Sequence, residues 1–143
     1  MRTTVGSVVE MVAPIRVTQD VAASPERSWN VLVDTRLWAR WGPSITAVDL
    51  HGDGTIISGG STGRVLTIAG IWLPFEITEF VAGQRWAWSI QGIGATGHEV
   101  RDRPGGSQVV FTVPLLAAPY AVVCRIALDR VRRLAESTEP VGE

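Results

Sequence analysis

Between Ile45 and Val113 the sequence breaks into six short β-rich runs, and the connections between them are too short for parallel pairing. The runs are "ITAVDLHGDG", "TGRVLTIAGIWL", "PFEITEFVAGQ", "RWAWSIQ", "TGHEVRDRPGG" and "SQVVFTV". A parallel crossover needs about a dozen or more residues, usually a helix. The runs must therefore pair antiparallel, as a meander. "HGDG", "VAGQ" and "RPGG" supply residues that tolerate positive φ in tight turns.

Upstream, Ile15 to Ala22 sets Ile15, Val17, Gln19 and Val21 against Arg16, Thr18 and Asp20. That alternation predicts a further strand. Ser24 then offers an N-cap and Pro25 suits a first helical position, where its missing N–H costs nothing. Trp29, Leu32 and Val33 fall on one face of the short helix that follows. Asp34 or Thr35 can cap a second short helix, with Leu37, Trp38 and Trp41 on its apolar side, ended by Gly42-Pro43. Near the C-terminus, Tyr120, Val123, Cys124, Ala127, Val131 and Leu134 recur at threes and fours, predicting a long helix from about Pro119 to Ser137. A sheet with one face to bury and a helix with one stripe to bury satisfy each other. The expected class is α+β: a curved antiparallel sheet of about seven strands wrapped around a long C-terminal helix, with two short helices after strand 1.

Charge excludes some functions. The net charge is −1 and all thirteen basic residues are arginines, so no basic face tracks a phosphate backbone and no nucleic-acid partner is expected. Without lysine the chain can form no Schiff base and no P-loop. Cys124 is the only cysteine, so no internal disulfide forms. Glu10 interrupts the N-terminal apolar run, against a signal peptide, and no apolar run approaches the ~20 residues of a membrane span. A soluble, cytoplasmic protein without an integral membrane segment is expected. "GIGATG", Gly92 to Gly97, matches the dinucleotide fingerprint G-x-G-x-x-G, but no helix can follow before Pro104-Gly105-Gly106. The acidic residue expected about 20 positions on is also missing. These glycines are expected to make a bent hairpin or bulge.

Ser24, Pro25, Glu26, Trp29, Asp34, Trp38, Trp41 and Pro43 carry a resemblance. A strand, Ser-Pro-Glu, a Trp-bearing helix, an Asp and a Trp-x-x-Trp-x-Pro turn open many START-like (SRPBCC) proteins. The chain most resembles their polyketide cyclase/dehydrase-like branch. "FEITEFVAGQRWAW" and "GHEVRDRPGGSQVVF" resemble that family's strand-turn-strand pieces. The resemblance implies the helix-grip fold over residues 12–137 as a single domain, with 1–11 and 138–143 as flexible termini. It implies an apolar cavity between sheet and helix. It also implies binding of lipids, sterols or polyketides, with cyclase or dehydratase activity in some members.

Against that frame, Trp86 and Trp88 share one strand face and either wall a cavity or fill plain core. Trp38 and Trp41 lie on the second helix, near the cavity mouth or packed beneath it. His98 shares a face with Val100, opposite Glu99 and Arg101, and is the candidate catalytic acid or base, though no carboxylate stands placed to orient it. Tyr120 and Cys124 sit on the inner stripe of the long helix, Cys124 as a small apolar group; Phe111 completes the ligand-binding set. Arg64 is expected to face out, His51 to sit in a solvated turn, and Glu76 and Glu79 to face opposite ways. Two His and one Cys at scattered positions make no metal site, and no cofactor is expected.

Three functions are compatible with this pattern. The first is binding, transport or sequestration of a small hydrophobic molecule such as a lipid or polyketide-like aromatic. The second is a cyclase, aromatase or dehydratase using His98. The third is a regulatory or protein-interaction module with a filled cavity. The chain is expected to be a monomer or weak homodimer, and more a binding protein than a catalyst.

Overall fold

In a computed structural model of the protein, residues 14–137 are described. The expected flexible termini, 1–11 and 138–143, lie outside the described residues.

The alternation read at the start of the chain becomes β1 (Ile15–Val21), which turns Val17 and Val21 into the core. Ser24 caps α1 (Pro25–Val33) by accepting from the Arg27 amide at 3.2 Å, with Pro25 in the first turn. The buried face of α1 is Ser28, Val31, Leu32 and Val33. The expected face was Trp29, Leu32 and Val33; Trp29 instead stands half-buried with its ring against Phe80. A 3₁₀ turn (Thr35–Leu37) leads into the single turn of α2 (Trp38–Trp41).

Asp34 fixes that entry. Its carboxylate accepts from the Arg36 amide at 3.0 Å and takes the Arg36 guanidinium through both oxygens. Burial acts to raise the Asp34 carboxyl, but the Arg36 bonds outweigh it and hold the group below its usual range.

Six further strands follow: β2 (Ile45–Leu50), β3 (Thr62–Thr67), β4 (Trp72–Val81), β5 (Arg85–Ile90), β6 (Ile93–Arg103) and β7 (Gly106–Val113). The sheet order is β1-β7-β6-β5-β4-β3-β2, and every neighbouring pair is antiparallel. One boundary moves. "TGRVLTIAGIWL" reads as a single run in the sequence, but Thr67 to Ile71 is a hairpin turn, closed by Thr67 N–H to Ile71 O at 3.0 Å. Trp72 and Leu73 therefore open β4, ahead of Pro74, which keeps its carbonyl bonded to the Gln91 amide at 2.9 Å.

A register shift between Ile77 and Glu79 also overturns the expectation for the two glutamates. The extra residue restores Phe80 to the inner side, and Glu76 and Glu79 are both exposed.

The fingerprint glycines make a turn and a bulged strand. Gln91 (φ 53°) and Gly92 (φ 77°) form the two-residue tip between β5 and β6, the geometry whose twist matches a hairpin. The β5–β6 register shifts between Ala87 and Ser89. At Gly97 a Cβ would collide with the Arg85 guanidinium and the Thr112 hydroxyl.

The long helix α3 (Ala121–Glu136) begins later than Pro119. Leu115–Tyr120 is a 3₁₀ segment with an irregular Ala117 (φ −103°, ψ 26°) and Pro119 inside it. Helix α3 buries Cys124, Ala127, Leu128, Val131 and Ala135 in the same core as Val17, Leu32 and Phe111. The helix thus lies inside the curve of the sheet, as a helix-grip fold requires. Arg27 ties its end, donating to the carbonyls of Ala135 and Ser137.

Candidate functional site

Alternation along β5 turns Trp86 and Trp88 inward together, and along β6 it turns in Thr96, His98 and Val100. Helix α2 drives Trp38 and Trp41 down onto them. Each indole is anchored at its N–H: Trp38 donates to Leu32 O at 2.9 Å and Trp41 to Val31 O at 3.1 Å. The result is a contiguous aromatic mass. Trp38 stacks on Trp86 with ring centroids 5.3 Å apart, and Trp86 stacks on His98 at 3.8 Å. Phe111 meets the edge of His98 at 4.7 Å, and Trp41 packs on Phe111 at 5.7 Å. Trp38 and Trp86 are both 0% exposed. Among the described residues, the Trp86 indole N–H is a buried donor without a partner.

His98 is placed by a chain of hydrogen bonds whose directions follow from its ends. A carbonyl only accepts, so the contact of His98 Nδ1 with Trp86 O at 3.3 Å puts the proton on Nδ1. Nε2 then accepts, and the Thr96 hydroxyl donates to it at 3.3 Å. Thr96 in turn accepts from the Trp88 indole N–H at 3.0 Å. Every polar atom of this chain is satisfied. Burial pushes the imidazole down to about 3; the Trp86 carbonyl opposes this and the Arg85 charge adds to it. His98 is therefore neutral near pH 7.

Beside the aromatic mass lies a chamber of about 550 Å³. Strands β3, β4 and β5 give it Val65, Thr67, Leu73, Trp88 and Ile90. The start of β6 gives Ile93, Ala95 and Thr96. Ser44 and Ile45 close one side, and Val113, Ala117 and Tyr120 the other. Ile93 is 72% exposed and Tyr120 39%, so the chamber opens to solvent between them. At this exposed edge of the chamber the hydroxyls of Ser44 and Tyr120 share a hydrogen bond of 2.9 Å. Burial raises the Tyr120 phenol above its ordinary value, with the Ser44 bond opposing and Cys124 adding to the rise.

A narrow pocket of about 20 Å³ continues inward past Tyr120, Trp88 and Thr96. It is bounded by Trp41, His98, Phe111 and Cys124 and has room for about one water. Burial pushes the Cys124 thiol up to about 11, so it stays protonated and behaves as a small apolar group.

Of the sequence-predicted set, Trp88 and Tyr120 line the chamber, and Trp41, His98, Phe111 and Cys124 border the inner pocket with them. Trp38 and Trp86 border neither and serve as packing beneath. Ser44, Thr96 and the aliphatic wall were not singled out by sequence. Thr96 had a signal, sitting two residues from His98 on the same strand face; Ser44 had none, since its partner is 76 positions away.

Arg64 faces out, its guanidinium 4.2 Å over Trp72 and paired with Asp49. His51 is exposed beside Thr62. Among the described residues no three His, Cys, Asp or Glu side chains converge as a metal site would require, and no helix is long and apolar enough to cross a membrane.

Solved structures share this architecture at low identity. The Aha1 dimer from Colwellia psychrerythraea is 17% identical, with a TM-score of 0.65 over 88% of this chain and 98% of that one. A protein from Chromobacterium violaceum is 18% identical, with a TM-score of 0.63 over 87% and 98%. The AHSA1-like protein from Aeromonas hydrophila is 16% identical, with a TM-score of 0.61 over 90% and 99%. These likenesses speak to the fold alone. No curated protein matches the chain by sequence. A family model described as polyketide cyclase / dehydrase and lipid transport matches residues 13–137. By that match, and with the START-like fold just described, the chain belongs to the polyketide cyclase/dehydrase and lipid transport family.

Proposed function

We propose that the chain binds a small apolar molecule in the chamber between Ser44, Trp88, Val113 and Tyr120. The observation that carries this reading is the chamber itself: about 550 Å³, walled almost wholly by aliphatic and aromatic side chains. That volume falls within the range of ordinary ligand sites, roughly 300–1,000 Å³. Affinity comes from apolar ligand area removed from water, about 25 cal/mol per Å² before the costs of association. Trp88 forms an aromatic wall, and the Ser44–Tyr120 pair offers a polar group at the mouth.

His98 belongs to the architecture in this reading. Both its nitrogens are engaged, and an imidazole held near 3 is a poor proton acceptor at neutral pH. Its task is to hold Thr96, and through Thr96 the Trp88 ring.

Titration with a panel of polyketide-like aromatics, long-chain alcohols and sterols tests the proposal, followed by tryptophan fluorescence and thermal shift. A bound ligand is expected to alter the emission and raise the unfolding temperature. No response from any class would remove the proposal.

A further inference from the structure

Resting on the ligand-binding reading, we infer that the chamber accepts electrically neutral apolar molecules carrying one hydroxyl or carbonyl, held by Ser44 and Tyr120. It rejects the carboxylate of the same carbon skeleton.

Among the described residues, the chamber wall carries no ionisable group except the Tyr120 phenol. The chain that builds it is free of Asp, Glu and Arg over residues 41–48, 65–75, 86–98 and 104–124, and the sequence has no lysine. Arg64, on β3 beside the wall residue Val65, points away and is taken by Asp49 and Trp72. His98 borders the inner pocket only, and its Nδ1 proton is committed to Trp86 O. No described cation therefore meets an anion inside.

The hydroxyls narrow the choice further. Among the described residues four line the chamber: Ser44, Thr67, Thr96 and Tyr120. Thr67 donates to Ile71 O and accepts from Ile71 N–H, so it is spent on its own turn. Thr96 donates to His98 and accepts from Trp88. Ser44 and Tyr120 have two protons between them and use one in their mutual bond. One proton and several lone pairs remain. That suits a ketone, which accepts, or an alcohol, which does both. A carboxylate has about four acceptor sites; held by Ser44 and Tyr120 it meets one neutral donor and no cation, so even at a half-open mouth it gives up more water contacts than it regains.

The test is a matched series on one skeleton: decane, 2-decanone, 1-decanol and decanoate, each below its aggregation limit, titrated at pH 7.5 and followed by tryptophan fluorescence. The alcohol and ketone are expected to bind about tenfold more tightly than the carboxylate. At pH 4 the acid is largely protonated, since its ordinary value lies near about 4.3 or slightly above. Its affinity should then come within a few-fold of the alcohol's, measured at the same pH.

Tyr120→Phe should weaken the alcohol about tenfold and leave decane unchanged. Ser44→Ala should show the same selectivity, which guards against misfolding of either variant. Equal binding of decanoate and decanol at pH 7.5 overturns the inference and leaves the ligand-binding reading standing. Equal losses for decanol and decane in both variants overturn the anchor. Failure of decane, decanone and decanol alike overturns the reading and the inference together.

Discussion

On one half of the concave face, Trp38, Phe75, Trp86 and Phe111 lie within an unbroken set of ring contacts. On the other half, Ile45, Val65, Leu73 and Val113 surround about 550 Å³ of open space. Both halves belong to one sheet, and apart from Thr96 and His98 the inner residues named in both are apolar. What differs is the cover. The filled half is roofed by α2, which drives two indoles downward and pins each by its N–H. The hollow half is roofed by Leu115–Tyr120, a 3₁₀ segment that brings Ala117 and Tyr120 to the chamber wall. Trp88 is the partition, with ring contacts to Trp38, Phe75, Trp86 and His98 and a place in the chamber wall. A START-like interior is thus divided by what its covering elements carry, and the same sheet can be core at one end and container at the other.

The contrast is broken most forcefully by truncating one residue on each side. Trp38→Ala removes a fully buried indole from the filled half and is expected to cost about 3–5 kcal/mol. Leu73→Ala enlarges a space that already exists and should cost under about 1.5 kcal/mol, below the usual range for a packed leucine. Urea denaturation of both variants measures the difference. Equal losses would mean that the hollow half is as tightly packed as the filled one.

The second expectation concerns pH. His98 is held at about 3 when folded, against an ordinary value of 6.5. A base depressed by burial is fully accommodated above its unfolded value. Below that, the unfolded chain takes up a proton that the folded chain refuses. Stability is therefore lost as pH falls from 6.5 towards 3, by up to about 1.4 kcal/mol per unit. Between pH 7.5 and pH 5 the loss from this group should reach about 2 kcal/mol. His98→Gln cannot titrate, so its stability should fall less over that interval. Parallel wild-type and variant curves would show that the stacked imidazole reaches water.

The sequence made much of the frame readable, and the reasons are local. Short glycine turns forced antiparallel pairing, and strand alternation placed Trp86, Trp88 and His98 on the inner side. Ser24 and Pro25 marked a helix start that the Arg27 amide confirms. The division into filled and hollow halves was not readable, because it depends on contacts across the chain. Nothing near Trp38 in sequence says that it will stack on Trp86, 48 positions away by residue number. Tyr120 fits the spacing of the long helix, yet Pro119 and the irregular Ala117 keep it in the 3₁₀ segment before it. The Glu76–Glu79 reading failed for a related reason: an ideal period of two has no place for the extra residue of a bulge.

The smallest expected change in stability is the sharpest probe of the hollow half. Ala95 lies near the start of β6 with its side chain in the chamber wall. In a filled core, three added carbons force neighbours off their rotamers and cost about 1–3 kcal/mol. In the chamber the same atoms meet open space, while burying them against Val65, Ile90 or Leu73 returns part of what their exposure would lose. Ala95→Leu is therefore expected to change stability by under about 0.5 kcal/mol in either direction. The same variant takes up room that a ligand would use, so any tryptophan response to decanol should weaken several-fold. A loss of stability of core size would mean that the wall around Ala95 closes tightly in solution. A neutral variant with undiminished ligand response would place the ligand away from β6, on the Ser44 and Val65 side of the chamber.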